Sequence, residues 1–425
     1  MSRFMLQPGP TQIDPRVLQA TMRPVIHHSD PEFTAEFDRT CELLRPIFGV
    51  QPGGEVVVVP VSGRGGLEAA ATTLTDGVRP VLVLQTGVFS GMFQDVMASL
   101  NIPSVTVSAL PGERLGLAEI EAAIVQHRPL MLSVTQVETS TGLETAGQRI
   151  TELAELAHRY DCLMMVDAVA SLGAVPLSMT EQDLDVVVAG SQKTLGAMTG
   201  LSMIAFSERA IRVMRARPEG VARSYFLDLA RWWRTWLPTE RGGEQALGAR
   251  RMNWSMNTHG VFALQRACEL AHEEGLVTRI DRHDRVARAF QAAAEHLGFG
   301  FLDEAERRSR TVSVLTPPQG ITAAEILAVL SHDHGIAAAG GLGAAWAGRV
   351  VRFGHMAETA RERVAATAVA ALADALRRHG VEHPADALAV FWDAVDAHPS
   401  LANAASTGAR SPRPARPGFL APAAS

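Results

Sequence analysis

From about residue 55 to residue 206, short runs of β-branched and aliphatic residues alternate with longer stretches of mixed polarity. The runs are Val56–Val59, Val81–Leu84, Val105–Val107, Leu130–Val134, Leu163–Val166, Asp185–Val188 and Ser202–Phe206. They are mostly apolar rather than alternating, the pattern of strands buried on both faces. The segments between them, such as Gly66–Thr75, Ala118–His127 and Ile150–Tyr160, read as helices. Strands alternating with helices predict a mostly parallel sheet covered on both sides. Right-handed crossovers bring the C-terminal strand ends to one edge, where ligands bind in such sheets.

The second half has a different rhythm. Residues 261–300 read as long helices, and residues 310–356 hold short strands, Thr311–Leu315 and Val350–Phe353, around a helix at Ala323–His332. Residues 357–380 are helical again. This predicts a smaller α+β domain laid against the first. The divisions we draw are an N-terminal arm (1–20), a large domain (21–285), a small domain (286–396) and a tail (397–425). The tail runs through Ser411-Pro412-Arg413-Pro414-Ala415-Arg416-Pro417-Gly418. It has too little apolar surface to bury, so we expect it to be disordered. No internal repeat is visible.

Composition narrows the classes. The 425 residues are 47% hydrophobic and 20% charged, enough for two domains with their own cores. Lys plus Arg total 39 against 45 Asp plus Glu, a net charge of −6. That speaks against a strongly basic nucleic-acid binder. The three cysteines, Cys41, Cys162 and Cys268, are too few and too scattered for a disulfide scaffold or a Cys-rich zinc site. No apolar run reaches the roughly 20 residues of a membrane span. Pro8 interrupts the start of the chain before a signal-peptide core could form. A cytoplasmic, reducing setting is the expectation.

Three places carry candidate chemistry. Ser62-Gly63-Arg64-Gly65-Gly66 follows a strand and precedes a helix. Glycines admit an anion close to the backbone, and a helix N-terminus offers unpaired N–H groups and a positive dipole end. The stretch lacks the Walker lysine and the dinucleotide spacing, so a plain glycine turn is the alternative. Asp167 ends the strand Leu163–Val166, where it either touches a ligand or caps a helix. Lys193, in Ser191-Gln192-Lys193, lies just beyond another buried strand among apolar or small neighbours. Its stem can bring an amine to a carbonyl and form an imine, against the alternative of a solvated surface charge. A phosphate cradle, a carboxylate for a ring nitrogen and an imine-forming lysine on one edge together point to pyridoxal phosphate.

At this point the chain resembles the class V pyridoxal-phosphate-dependent aminotransferases, in their alanine–glyoxylate and serine–glyoxylate branch. The resemblance runs from about residue 4 to residue 385. It rests on Pro8-Gly9-Pro10-Thr11, His28-Ser29-Asp30-Pro31-Glu32-Phe33, the cradle with Glu68-Ala69-Ala70, and Glu138-Thr139-Ser140-Thr141-Gly142. Val166-Asp167-Ala168-Val169-Ala170-Ser171-Leu172-Gly173, Gly190-Ser191-Gln192-Lys193 and Arg352-Phe353-Gly354-His355-Met356 complete it. The resemblance implies pyridoxal-phosphate fold type I, with a large domain on a mostly parallel seven-stranded sheet and a smaller α+β C-terminal domain. It implies that Lys193 holds the cofactor and moves the proton, and that Asp167 binds the ring nitrogen. Ser62, Gly63, Arg64 and Gln192 would hold the phosphate, Ser140 would approach the ring hydroxyl and Phe89 would stack on the ring. Arg352 would clamp the substrate carboxylate, as a guanidinium does well. Thr258 would reach the phosphate of a neighbouring subunit, so a homodimer with shared sites is implied. His28 and His355 are expected to be structural or to lie behind the site.

The chain departs from its relatives in three places. Phe89 stands where tryptophan or tyrosine is common, and Ser255, beside Trp254, stands where a tyrosine often partners Thr258. Residues 225–251 carry Trp232, Trp233 and Trp236 among several arginines. They either reshape the substrate pocket or form a surface helix on the dimer partner. The expected reaction moves an amino group from alanine or serine to glyoxylate or pyruvate by a ping-pong route. Ureidoglycine is another donor used in the branch. Pyridoxamine–pyruvate aminotransferases share Gly66-Leu67-Glu68-Ala69-Ala70 and the Gly-His-Met, but Arg64 suits a phosphate-bearing cofactor better. A cysteine desulfurase would need a mobile-loop cysteine, and none follows Cys268. Lyase or racemase chemistry stays open, as does a non-catalytic binding protein, against which Lys193, Asp167 and Arg352 together argue.

Overall fold

The computed structural model describes residues 4–110, 112–221, 223–231, 233 and 255–399. Seven strands make one sheet, in the order Glu55–Val59, Ser202–Phe206, Val186–Gly190, Leu163–Asp167, Met131–Thr135, Val81–Gln85 and Ser104–Ser108. Ser202–Phe206 is antiparallel to both neighbours and the other pairs are parallel. These are the seven expected strands, with ends shifted by a residue or two. Every residue of Leu163–Asp167, Val186–Gly190 and Ser202–Phe206 is buried. Each valine buried there contributes about 1.5–3 kcal/mol relative to an exposed one.

One boundary is corrected. The first helix after Glu55–Val59 spans Gly63–Leu74 and begins at Gly63, not Gly66. The glycines are therefore its first turn rather than a loop ahead of it. A Cβ on Gly63 would meet Val169 Cγ2 at 2.6 Å, and one on Gly66 would meet Ser202 Oγ at 1.9 Å. The helix can lie this close to the sheet only because those side chains are missing. The His28–Phe33 motif has a local reason too. Asp30 accepts from Glu32 N–H at 2.9 Å and Pro31 opens the helix Pro31–Phe48, so the motif is a helix start.

The second unit has a four-stranded antiparallel sheet, Gly300–Phe301, Val312–Thr316, Val351–Gly354 and Ala339–Gly340. Helices Ala323–His332, Glu362–Arg378 and Ala387–Asp396 share one hydrophobic core with it. Its core includes Phe290, Phe353, Val369 and Leu372, and it takes Leu6 from the arm. Phe4–Met5 pairs in parallel with Ile336–Ala337, tying the arm to this unit. We keep the division at 285/286 as a proposal. It falls inside the continuous helix Leu276–His296, whose residues from Val286 onward enter the second core. From residue 400 the expected tail lies outside the described residues. No helix among the described residues is long and apolar enough to cross a membrane.

Candidate active site

Parallel pairing puts the ends of Leu163–Asp167 and Val186–Gly190 on one edge, with Asp167 opposite Val188. Asp167 is buried, and its Oδ1 accepts from Val169 N–H at 2.9 Å. Burial pushes its carboxyl up to about 6, and the charge of Glu138 adds to this; the bonds from Val169 N–H and the Thr135 hydroxyl, and the charge of Lys193, oppose it. Lys193 is half-buried, and its Nζ donates to the carbonyl of Pro8. Burial and the charge of Arg352 bring its amine down to about 8, against the pull of Asp167. An acid and an amine are thus both moved toward neutrality, as acid–base sites require.

The cradle lies beside them. Ser62 stands at the N-terminus of helix Gly63–Leu74 with extended backbone, and its hydroxyl makes no capping bond. The first intrahelical bond runs from Gly66 N–H to Ser62 C=O, which leaves the earlier N–H groups for an anion. The exposed Arg64 guanidinium rests 2.8 Å from Met92 Sδ. Gln192 Oε1 is buried without a partner, and a Cβ on Gly190 would meet it at 3.1 Å. Phe89 is half-buried on the first turn of helix Val88–Ser99, and Ser140 is buried on the neighbouring hairpin tip.

Arg352 reaches in from the second unit. Its Nε donates to Gly340 C=O at 2.7 Å and its Nη1 to Thr139 C=O at 3.0 Å. The remaining N–H donors are available for a carboxylate. Its charge also disfavours the protonated form of Lys193. Thr258 opens the helix Thr258–Glu274 and is buried; no hydrogen bond or ion pair among the described residues joins it to the cradle. His355 donates to or accepts from Ser313 Oγ at 3.0 Å, and burial brings it down to about 3. Burial and His27 also lower His28, which is half-buried.

Sequence reasoning missed several neighbours. The arm passes against Lys193 so closely that a Cβ on Gly9 would meet its Cδ at 2.4 Å. Thr11 N–H donates to Gln192 C=O at 3.1 Å and its hydroxyl to Met356 C=O at 2.8 Å. Nothing local signals contacts across such separations. Glu138 is wholly buried, which a glutamate beside an apolar strand residue could have suggested. For the Trp-rich segment the expectation changes at one position. Trp233 is neither in the pocket nor on the surface: it packs edge-on to Phe206 at 5.5 Å, in the core. Trp232, Trp236 and Trp254 lie outside the described residues.

Pyridoxal phosphate fits this donor set. A helix N-terminus with free N–H groups, which can donate to a phosphate, stands at one end, and a buried carboxylate and a lysine poised near neutrality at the other. Such an edge on an α/β sheet defines an enzyme built around that cofactor. The sequence model of the Aminotransferase class-V family matches residues 3–366, and the chain belongs to this family of pyridoxal-phosphate-dependent transaminases. It is 31% identical over 378 residues to the alanine–glyoxylate aminotransferase of Oryctolagus cuniculus, covering 88% of this chain and 93% of the relative. The crystal structure of ureidoglycine–glyoxylate aminotransferase from Bacillus subtilis superposes with a TM-score of 0.84 at 26% identity, covering 93% of this chain and 98% of that one. Pyridoxamine–pyruvate aminotransferase from Mesorhizobium loti gives 0.83 at 23% identity, with the same coverage, and shares the fold.

Proposed function

We propose that the enzyme moves an amino group from a small amino acid, alanine or serine, to a 2-oxo acid such as glyoxylate or pyruvate by a ping-pong route. The observation that carries this is the placement of the buried Asp167 and of Lys193 at the ends of two adjacent parallel strands, with Arg352 reaching in from the second unit to Thr139 C=O. Pyridoxal phosphate supplies, when bound, an aldehyde for the amine and an electron sink for the carbon that loses its proton. Lys193 would hold the cofactor and, once released, carry the proton. Asp167 would keep a positive charge on the ring nitrogen. Ser62, Gly63, Arg64 and Gln192 would bind the phosphate, Phe89 would cover the ring and Ser140 would meet its hydroxyl. Arg352 would fix the substrate carboxylate, which sets the reacting carbon beside Lys193. Thr258 from a second subunit, the homodimer and the cytoplasmic setting belong to the same reading.

The test is an absorbance spectrum of the protein loaded with cofactor, taken before and after single amino acids. One amino acid should abolish the visible band, and glyoxylate or pyruvate should restore it. Conversion by pyridoxamine alone would favour the pyridoxamine–pyruvate reaction instead. No visible band after cofactor is added would sink the proposal.

A further inference from the structure

Glu138 is a buried carboxylate with no part in the reaction described above. It belongs to the strand Val137–Glu138, which pairs antiparallel with Leu143–Glu144, and the tip between them carries Thr139 and Ser140. Its Oε1 accepts from Ser140 Oγ at 2.6 Å and from Ser140 N–H at 3.1 Å. Its Oε2 accepts from Phe89 N–H at 3.1 Å, Ser90 N–H at 3.0 Å and Ser90 Oγ at 3.0 Å. A carboxylate has about four lone-pair sites, so little is left for a ligand. The arrangement is a helix cap supplied from another element. The carboxylate meets the first N–H groups and positive dipole end of helix Val88–Ser99. Gly87 makes the approach possible, since a Cβ there would lie 2.4 Å from Glu138 Cγ and 2.5 Å from Ser140 Oγ.

The consequence falls on Ser140. Its one hydroxyl hydrogen is committed to Glu138, and Val88 N–H donates to its oxygen at 3.0 Å. What remains is a lone pair, so Ser140 can accept from a ligand hydroxyl but cannot donate to it. Phe89 is held by the same carboxylate through its N–H. Thr139, between the two, gives its carbonyl to Arg352. One buried charge thus orders a ring-covering residue, a hydroxyl acceptor and the strand facing the substrate arginine.

We propose that Glu138 is a positioning residue: it holds Phe89 and Ser140 in place and fixes Ser140 as an acceptor toward the cofactor, without touching cofactor or substrate. This rests on the reading of the site given under Proposed function. The test compares full-length wild type, Glu138→Gln, Ser140→Ala and the double variant, each loaded with pyridoxal phosphate. Readouts are the cofactor dissociation constant and the visible circular dichroism of the folded, loaded protein. Glu138→Gln keeps the volume but turns an amide NH2 toward donors. It should weaken cofactor binding about tenfold, the loss of one net hydrogen bond, and alter the visible dichroism. Ser140→Ala should reproduce part of that change, and the double variant should bind no more than about twofold worse than Glu138→Gln, because the two act as one unit. Wild-type affinity and spectrum in Glu138→Gln, or effects that simply multiply, would overturn the proposal. If Glu138→Gln does not fold, Ser140→Ala decides alone, and a wild-type spectrum and affinity there overturns it. Lys193→Met is the control. If borohydride still fixes the cofactor covalently to it, the reading of the site fails. If it does not, while the other variants match wild type, only the role of Glu138 fails.

Discussion

Two buried charge clusters flank the loop after Lys193, and they are built on opposite principles. At the α-helical junction behind the loop, Glu274 receives Arg279 Nη1 at 2.9 Å, Arg282 Nε at 2.5 Å and Arg282 Nη2 at 3.0 Å. Arg279 also donates to Thr194 C=O at 2.6 Å, and Arg282 to Ala357 C=O at 3.0 Å. Burial favours a neutral Glu274, yet the bonds and charges of Arg282 and Arg279 hold its carboxyl below the usual range. At the front, burial dominates instead. Asp167 is pushed up to about 6 and Lys193 down to about 8. The rear cluster spends its charges on itself and pins the Lys193 loop to the segment after Arg352. The front cluster leaves its charges poorly matched, and that mismatch is what a reacting ligand can use. A buried charge is therefore informative about function only when its partners are counted.

The largest effect that would break this contrast is at Lys193. Lys193→Met should cut turnover by about 10³-fold or more, and borohydride should no longer fix the cofactor covalently to the protein. Cofactor-free stability in urea should hold or rise by about 1 kcal/mol, because an unfavourable buried charge is gone. A destabilised variant would make the lysine structural. The rear cluster should respond in reverse. Glu274→Gln leaves Arg279 and Arg282 without a carboxylate and should cost about 3 kcal/mol of unfolding free energy, while the folded protein still loads cofactor and shows its band. A cost under about 1 kcal/mol would mean the arginines find other partners.

The smallest effect is in pH. Lys193 binds its proton less tightly folded, at about 8, than at its ordinary 10.5. Between these values the unfolded chain holds the proton that the folded chain has lost, so stability of the cofactor-free protein rises with pH across that window. Below about pH 8 the cost is fully present. Asp167 works the other way, at about 6 against an ordinary 3.8. There the folded chain holds the extra proton, so its contribution falls as pH rises from 3.8 to about 6. Since the neutral amine is the nucleophile, the rate of pyridoxal phosphate uptake should climb with pH and level off above about 8, followed by visible absorbance. A flat profile from pH 6 to 9 would show that Lys193 is not the group that reacts.

The sheet, the strand ends and the order cradle, carboxylate, lysine were legible because each is a local pattern. Val56–Val59 and Leu163–Val166 are apolar without a break, and such runs have few other places to go. Ala323–His332 was readable to its ends, since Thr322 and Glu325 form a capping box. The glycines at 63 and 66 were visible, but not their purpose. Their need comes from Val169 and Ser202, which meet them only in three dimensions. Trp233 misled because tryptophan near arginine suits a binding surface as well as a core, and only Phe206 decides between them.

What the sequence determined by itself is the alternation of buried strands and helices, and which chemical groups end up at the strand tips. Hydrophobic periodicity and strand-to-helix punctuation are properties of neighbours along the chain. What only the tertiary structure decided is the environment of those groups. The carbonyl of Pro8 meets Lys193, Arg352 arrives from the second unit, and Glu138 caps a helix that it does not belong to. Proton affinity and hydrogen-bond direction depend on burial and on charges brought together through space, and those depend on how the sheets and helices close on one another.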